Sequence, residues 1–103
     1  MTTTATIAEI VRFRLIPGAD SGDFAAAAQG VGIWLDSRTG YLRRSLSLGP
    51  DGALSDVILW ADMAAAESAA AAMMADPAVA RFMAMIDPAT VEMRHEHVLV
   101  TSP

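Results

Sequence analysis

Residues 56–100, DVILWADMAAAESAAAAMMADPAVARFMAMIDPATVEMRHEHVLV, constrain the fold more than any other part of the chain. A β-branched apolar segment closes on Trp60. Asp62 then stands where a helix N-cap belongs, ahead of an alanine-rich run with Glu67 near its start. Asp76-Pro77 supplies a second cap with proline at the first helical position, so two helical pieces are expected from one connection. Val79, Phe82, Met83 and Ile86 give the second piece an apolar face, and Asp87-Pro88 stops it. Val91–Val100 reads as a closing strand, with Val91, Met93, His95, His97 and Leu99 on one side and Glu92, Arg94, Glu96, Val98 and Val100 on the other. A strand–helix–strand unit of this kind cannot bury its apolar faces alone, and the first half of the chain must supply the complement.

That half has the required pattern. Ile7–Ile16 is rich in Ile, Val and Phe and ends at the turn pair Pro17-Gly18, which predicts a first strand. Asp20 or Ser21 can cap a helix beginning near Asp23 and running to about Ser37, with Phe24, Ala28, Val31 and Leu35 as a narrow apolar stripe. Gly30 and Gly32 weaken it, by roughly 1 kcal/mol each relative to alanine, and point to a bend or a tight contact. Tyr41–Leu48 alternates Leu42, Arg44, Leu46 and Leu48 against Tyr41, Arg43, Ser45 and Ser47. The turn signal Gly49-Pro50-Asp51-Gly52 then predicts that Leu54–Trp60 returns as an antiparallel hairpin.

The element order βαββαβ, with right-handed crossovers, predicts an α+β ferredoxin-like domain over residues 1–103: a four-stranded antiparallel sheet in the order 4-1-3-2, with the helices on one face. The strands carry apolar residues on both faces, and at 103 residues with 53% hydrophobic content a single core leaves apolar surface unburied. The sequence therefore predicts a homodimer through the sheet face, two sheets closing a dimeric α+β barrel.

Composition narrows the chemistry. Seven basic residues, all Arg, oppose twelve acidic ones for a net charge of −5, which disfavours a nucleic-acid partner. With no Lys and no Cys, Schiff-base chemistry, thiolate nucleophiles, cysteine-ligated metals and disulfides are excluded. The N-terminal MTTTATI lacks a basic region and a long apolar core, and no run reaches membrane-spanning length, so a cytoplasmic chain without a membrane partner is expected.

The early strand ending in Pro17-Gly18, the Gly40-Tyr41-Leu42-Arg43 opening of the second strand, Trp60 before a capped helix, the Asp76-Pro77 helix start and the closing Val91–Val98 together resemble the antibiotic-biosynthesis monooxygenase (ABM) family of the dimeric α/β-barrel superfamily. The resemblance covers nearly the whole chain. It implies a dimeric barrel and a cofactor-independent monooxygenase acting on a small aromatic or quinol-like substrate, with no cofactor and no metal. Such a reaction brings a bound carbanion or enolate to molecular oxygen, and the protein must exclude water and stabilise oxyanion charge with fixed donors. The haem-degrading branch of that family uses an Asn, a helix Trp and a His. This chain has no Asn, which disfavours that branch.

A pocket between sheet and helices would draw on His95 as acid/base or orienting group and on Trp60 and Arg44 for substrate binding. His95 and His97 share a strand side at a spacing that suits a metal if a third ligand such as Glu9 arrives, although one buried imidazole and one near solvent is the plainer account. Trp34 and Trp60 read first as core or interface residues, the helix methionines as core filling, and the Arg12, Arg14, Glu92, Arg94, Glu96 set as cross-strand ion pairs. A non-catalytic small-ligand-binding or stress-associated barrel of the same fold is the alternative.

Overall fold

A computed structural model describes residues 5–103; residues 1–4, part of the N-terminal stretch read for a leader, lie outside the described residues. The order is β1 (Ile7–Phe13), α1 (Ser21–Asp36), β2 (Tyr41–Leu48), β3 (Leu54–Trp60), α2 (Met63–Ala72), α3 (Pro77–Ala84) and β4 (Glu92–His97), with short 3-10 turns at Met73–Ala75 and Pro88–Thr90. The sheet is antiparallel throughout in the order β2-β3-β1-β4, the expected α+β ferredoxin-like plait.

The aspartates read as caps do that work. Asp20 accepts from the Asp23 amide, Asp62 from Ala65, and Asp76 from Ala78 and Val79, each satisfying a donor that a helix start leaves free, and Asp87, read only as part of a helix stop, also accepts from the Ala89 amide at the following 3-10 turn. Alanine makes the helices thin enough for close packing. A Cβ on Gly30 would come within 2.9 Å of the Ala78 Cβ, so the α1–α3 crossing uses the tight contact expected there. Gly40 has φ +81°, and a Cβ on it would lie 2.6 Å from the Ala65 Cβ of α2.

The core lies between the sheet and the helices. Leu54, Ile58 and Trp60 of β3 and Ile7 and Phe13 of β1 are buried there against Phe24, Val31 and Leu35 of α1 and Val79 and Phe82 of α3. Phe13, Phe24 and Phe82 form one aromatic cluster, with Phe24 stacked on Phe82 at 4.9 Å and Phe13 edge-on to both.

Four local expectations are corrected. β1 stops at Phe13 instead of Ile16, because the chain beyond it bonds to the segment between α3 and β4: the Arg14 amide donates to Thr90 Oγ1, the Ile16 amide to the Met85 carbonyl, and Leu15 bridges Ile86. β4 is confined to Glu92–His97, after which the Val98 amide donates to the Thr6 carbonyl. In β2 the register shifts between Tyr41 and Arg43, so Tyr41 lies opposite Trp60 and Arg44 opposite Ile58, both on the helix-covered face. Leu42, expected beside Arg44, is the surplus residue and is 52% exposed. The ion pairs differ as well: Arg94 bonds Glu96 along its own strand and Arg14 bonds Asp51 of the hairpin turn, while Arg12 lies opposite Glu92 in register.

Candidate functional site

Cross-strand register brings the sequence's candidates onto one face. Arg44 opposes Ile58, Ile58 opposes Glu9, and Glu9 opposes His95, a single row across β2, β3, β1 and β4 on the side that the helices cover. The adjacent row runs Tyr41, Trp60, Ile7, His97. With strands about 4.8 Å apart, Arg44 and His95 stand about 14 Å from each other at opposite ends of their row.

At the β4 end, His95 Nε2 lies 3.1 Å from Glu9 Oε1, with side-chain exposures of 26% and 15%. The contact engages Nε2 and leaves Nδ1 without a hydrogen-bond partner among the described residues. Such a carboxylate-oriented histidine can take a proton from a substrate group that reaches it. β4 is an edge strand, and Met93 and His97, on the same side of it, are exposed, so this end of the row is the open one. Glu9 thus serves as partner to His95, and no three His, Cys, Asp or Glu side chains converge on a metal-sized space among the described residues.

At the other end Arg44 is engaged. Its Nε and Nη2 donate to the two carboxylate oxygens of Asp56 at 2.9 and 2.8 Å, and Nη1 donates to the Ala28 carbonyl of α1 at 2.8 Å. The pair is 9% and 6% exposed, and the guanidinium lies 5.5 Å from the Phe82 ring centre. Asp56 is the residue that sequence reasoning missed. Its signal was present, since it takes the position of an apolar residue in the alternation Leu54, Asp56, Ile58, Trp60, and a carboxylate on a buried face needs a cation.

Trp60 is 1% exposed and meets Tyr41 edge-on at 6.0 Å, while its indole Nε1–H has no acceptor among the described residues. Burial first, and then the Asp36 carboxylate, push the Tyr41 phenol above its ordinary range, so it stays an O–H donor at neutral pH. None of the three principal clefts of the described residues is lined by His95, Arg44 or Trp60.

No family model matches the chain, and no curated protein matches it. Solved structures do. SnoaB, a cofactor-independent oxygenase from Streptomyces nogalater, is 18% identical with a TM-score of 0.79, over 97% of this chain and 99% of its own. A candidate antibiotic-biosynthesis monooxygenase from Caulobacter crescentus is 14% identical with a TM-score of 0.77, over 95% and 93% of the two chains. A further candidate from Chloroflexus aurantiacus is 17% identical with a TM-score of 0.68, over 96% and 98%. Identities this low speak for the fold alone, and on that level the chain is built as these ABM-like proteins are, on the plait its element order predicted.

Proposed function

We propose that this protein is a homodimeric, cofactor-independent monooxygenase for a small aromatic or quinol-like substrate, with His95 as the base and Glu9 as the group that orients it. The observation that carries this reading is the 3.1 Å Glu9–His95 pair at the open β4 end of the helix-covered face. In the reaction His95 removes a proton from an activated ring CH2, the carbanion passes electrons to O2, and the resulting hydroperoxide expels water to leave a carbonyl. CH2 and O2 become C=O and H2O, so the balance needs no outside reductant. The Trp60 Nε1–H, buried without an acceptor, is the donor a substrate oxygen would meet on entering the helix-covered face. Arg44 serves by holding α1 to the sheet and Asp56 in place, since three of its N–H groups are already spent on Asp56 and Ala28.

A second reading, a non-catalytic ligand-binding barrel, draws its support from the three principal clefts of the described residues, which His95 and Trp60 do not line. Oxygen uptake with a panel of anthrones and quinols separates the two. Turnover by the wild type should fall about 100-fold or more in His95→Gln, the lower end of what a positioned base contributes. Equal uptake by both proteins removes His95 from the mechanism. Ligand binding without uptake of oxygen by any panel member would leave the binding barrel as the function.

A further inference from the structure

A cleft of about 690 Å³ lies away from the His95 row, between α1 and α3 and beside the 3-10 turn that precedes α3. Its α1 wall is a second stripe at helical spacing, Gly30, Ile33 and Trp34 with the C-cap Ser37, distinct from the stripe that faces the sheet. Ile33 is 75% exposed there, an apolar side chain the core does not need. Arg38 and Arg81 line the same cleft, and neither has a carboxylate within 4.0 Å among the described residues, as Arg12 and Arg43 of the sheet do not, whereas Arg14, Arg44 and Arg94 do.

Arg38 is held in place before any ligand arrives. Its guanidinium carbon sits 4.8 Å from the Trp34 ring centre, and its Nε is buried without an acceptor. Asp76 also lines the cleft, but its Oδ1 accepts from the Ala78 and Val79 amides, and one carboxylate faces two guanidinium groups. In a chain of net charge −5, two unpaired arginines beside an exposed Ile33–Trp34 wall make a local positive site with an apolar floor of alanines. The volume falls within the range of small-ligand pockets, and the guanidinium fork matches a carboxylate.

We propose that this cleft binds a small planar aromatic carboxylate, its ring against Ile33 and Trp34 and its carboxylate on Arg38 and Arg81. The site is separate from the His95 row, and the helix layer that forms it lies on the opposite side from the open sheet face, so pairing of two copies through that face leaves it accessible.

Backbone-amide NMR of the full chain, titrated with naphthoate, naphthylmethanol and inorganic phosphate, tests the assignment. Naphthoate should saturate below about 1 mM, a modest affinity for a ligand of its size, and shift amides in residues 30–38 and 75–81. Naphthylmethanol should bind at least tenfold more weakly. Arg81→Gln, at an exposed position, and Arg38→Gln should each weaken naphthoate at least tenfold while keeping the wild-type spectrum and wild-type oxygen uptake. The proposal is overturned by equal binding of acid and alcohol, by phosphate binding as tightly as naphthoate, by shifts mapping elsewhere, by unchanged affinity in both variants, or by no saturable binding.

Discussion

Replacing Asp56 by alanine strands a guanidinium inside the protein. Arg44 and Asp56 are 9% and 6% exposed and joined by two bonds of 2.9 and 2.8 Å, and the third Arg44 contact reaches across to the Ala28 carbonyl of α1. Removing one member of a buried pair costs about 3–5 kcal/mol, because the remaining charge keeps its desolvation penalty and loses its attraction. A domain of this size has a total stability on the order of 5–15 kcal/mol, so Asp56→Ala should consume a large share of it. With about 4–8 °C of melting shift per kcal/mol, the midpoint should fall by at least about 12 °C. Arg44→Met/Asp56→Leu removes both charges and should recover most of the loss, since an apolar replacement of similar volume leaves nothing buried and unpaired. The assay is urea and thermal unfolding followed by far-UV circular dichroism, at one protein concentration because self-association would add to apparent stability. A loss below about 1 kcal/mol for Asp56→Ala, the size of a surface substitution, or a double variant no better than the single, would refute the view that this pair holds α1 to the sheet.

Gly40→Ala should cost at least about 1–3 kcal/mol, since φ +81° strains any other residue and the added Cβ would meet Ala65 of α2 at 2.6 Å; chemical denaturation measures it, and a neutral result would mean that α2 can shift away. Asp51 accepts from the Ala53 amide and pairs with Arg14, and that amide bond chiefly, with the Arg14 charge behind it, holds its carboxyl below the ordinary value of 3.8. A depressed folded-state value gives stability that is present above the ordinary value and lost as pH falls through the lower folded one, so Asp51→Asn should flatten the acid arm of a pH–stability profile, and an unchanged arm would contradict it. Val57→Glu, in the middle of the open sheet face, should turn the proposed dimer into a monomer by sedimentation analysis, and an unaltered dimer would place the interface elsewhere.

Most of the fold is legible in hydrophobic periodicity and capping residues. The Asp20, Asp62 and Asp76-Pro77 starts and the Tyr41–Leu48 and Leu54–Trp60 strands follow from local patterns, and the sheet order from the crossover rule applied to the element order. The misplaced features depend on distant chain. Nothing in Ile7–Ile16 says that Thr90 and Met85 will take the hydrogen bonds of its last residues. The alternation of YLRRSLSL hides a surplus residue, because Leu42 and Arg44 look like neighbours on one face until the register against Trp60 and Ile58 is known. The site was half visible for the same reason: His95 and Arg44 stood out as residue types, but Glu9, 86 residues from His95, was placed beside it only as a metal ligand, and Asp56, 12 residues from Arg44, was not singled out.

The surplus residue in β2 makes the chain's length between Gly40 and Arg44 a matter of phase. Deleting Leu42 would force a choice between turning Tyr41 away from Trp60 and turning Arg44 away from Asp56, and lengthening the segment by one would do the same from the other side. Insertions and deletions should therefore cost more at Leu42 than in the Gly49–Gly52 hairpin turn, where they would disturb the Arg14–Asp51 pair but turn neither Tyr41 nor Arg44 off its face.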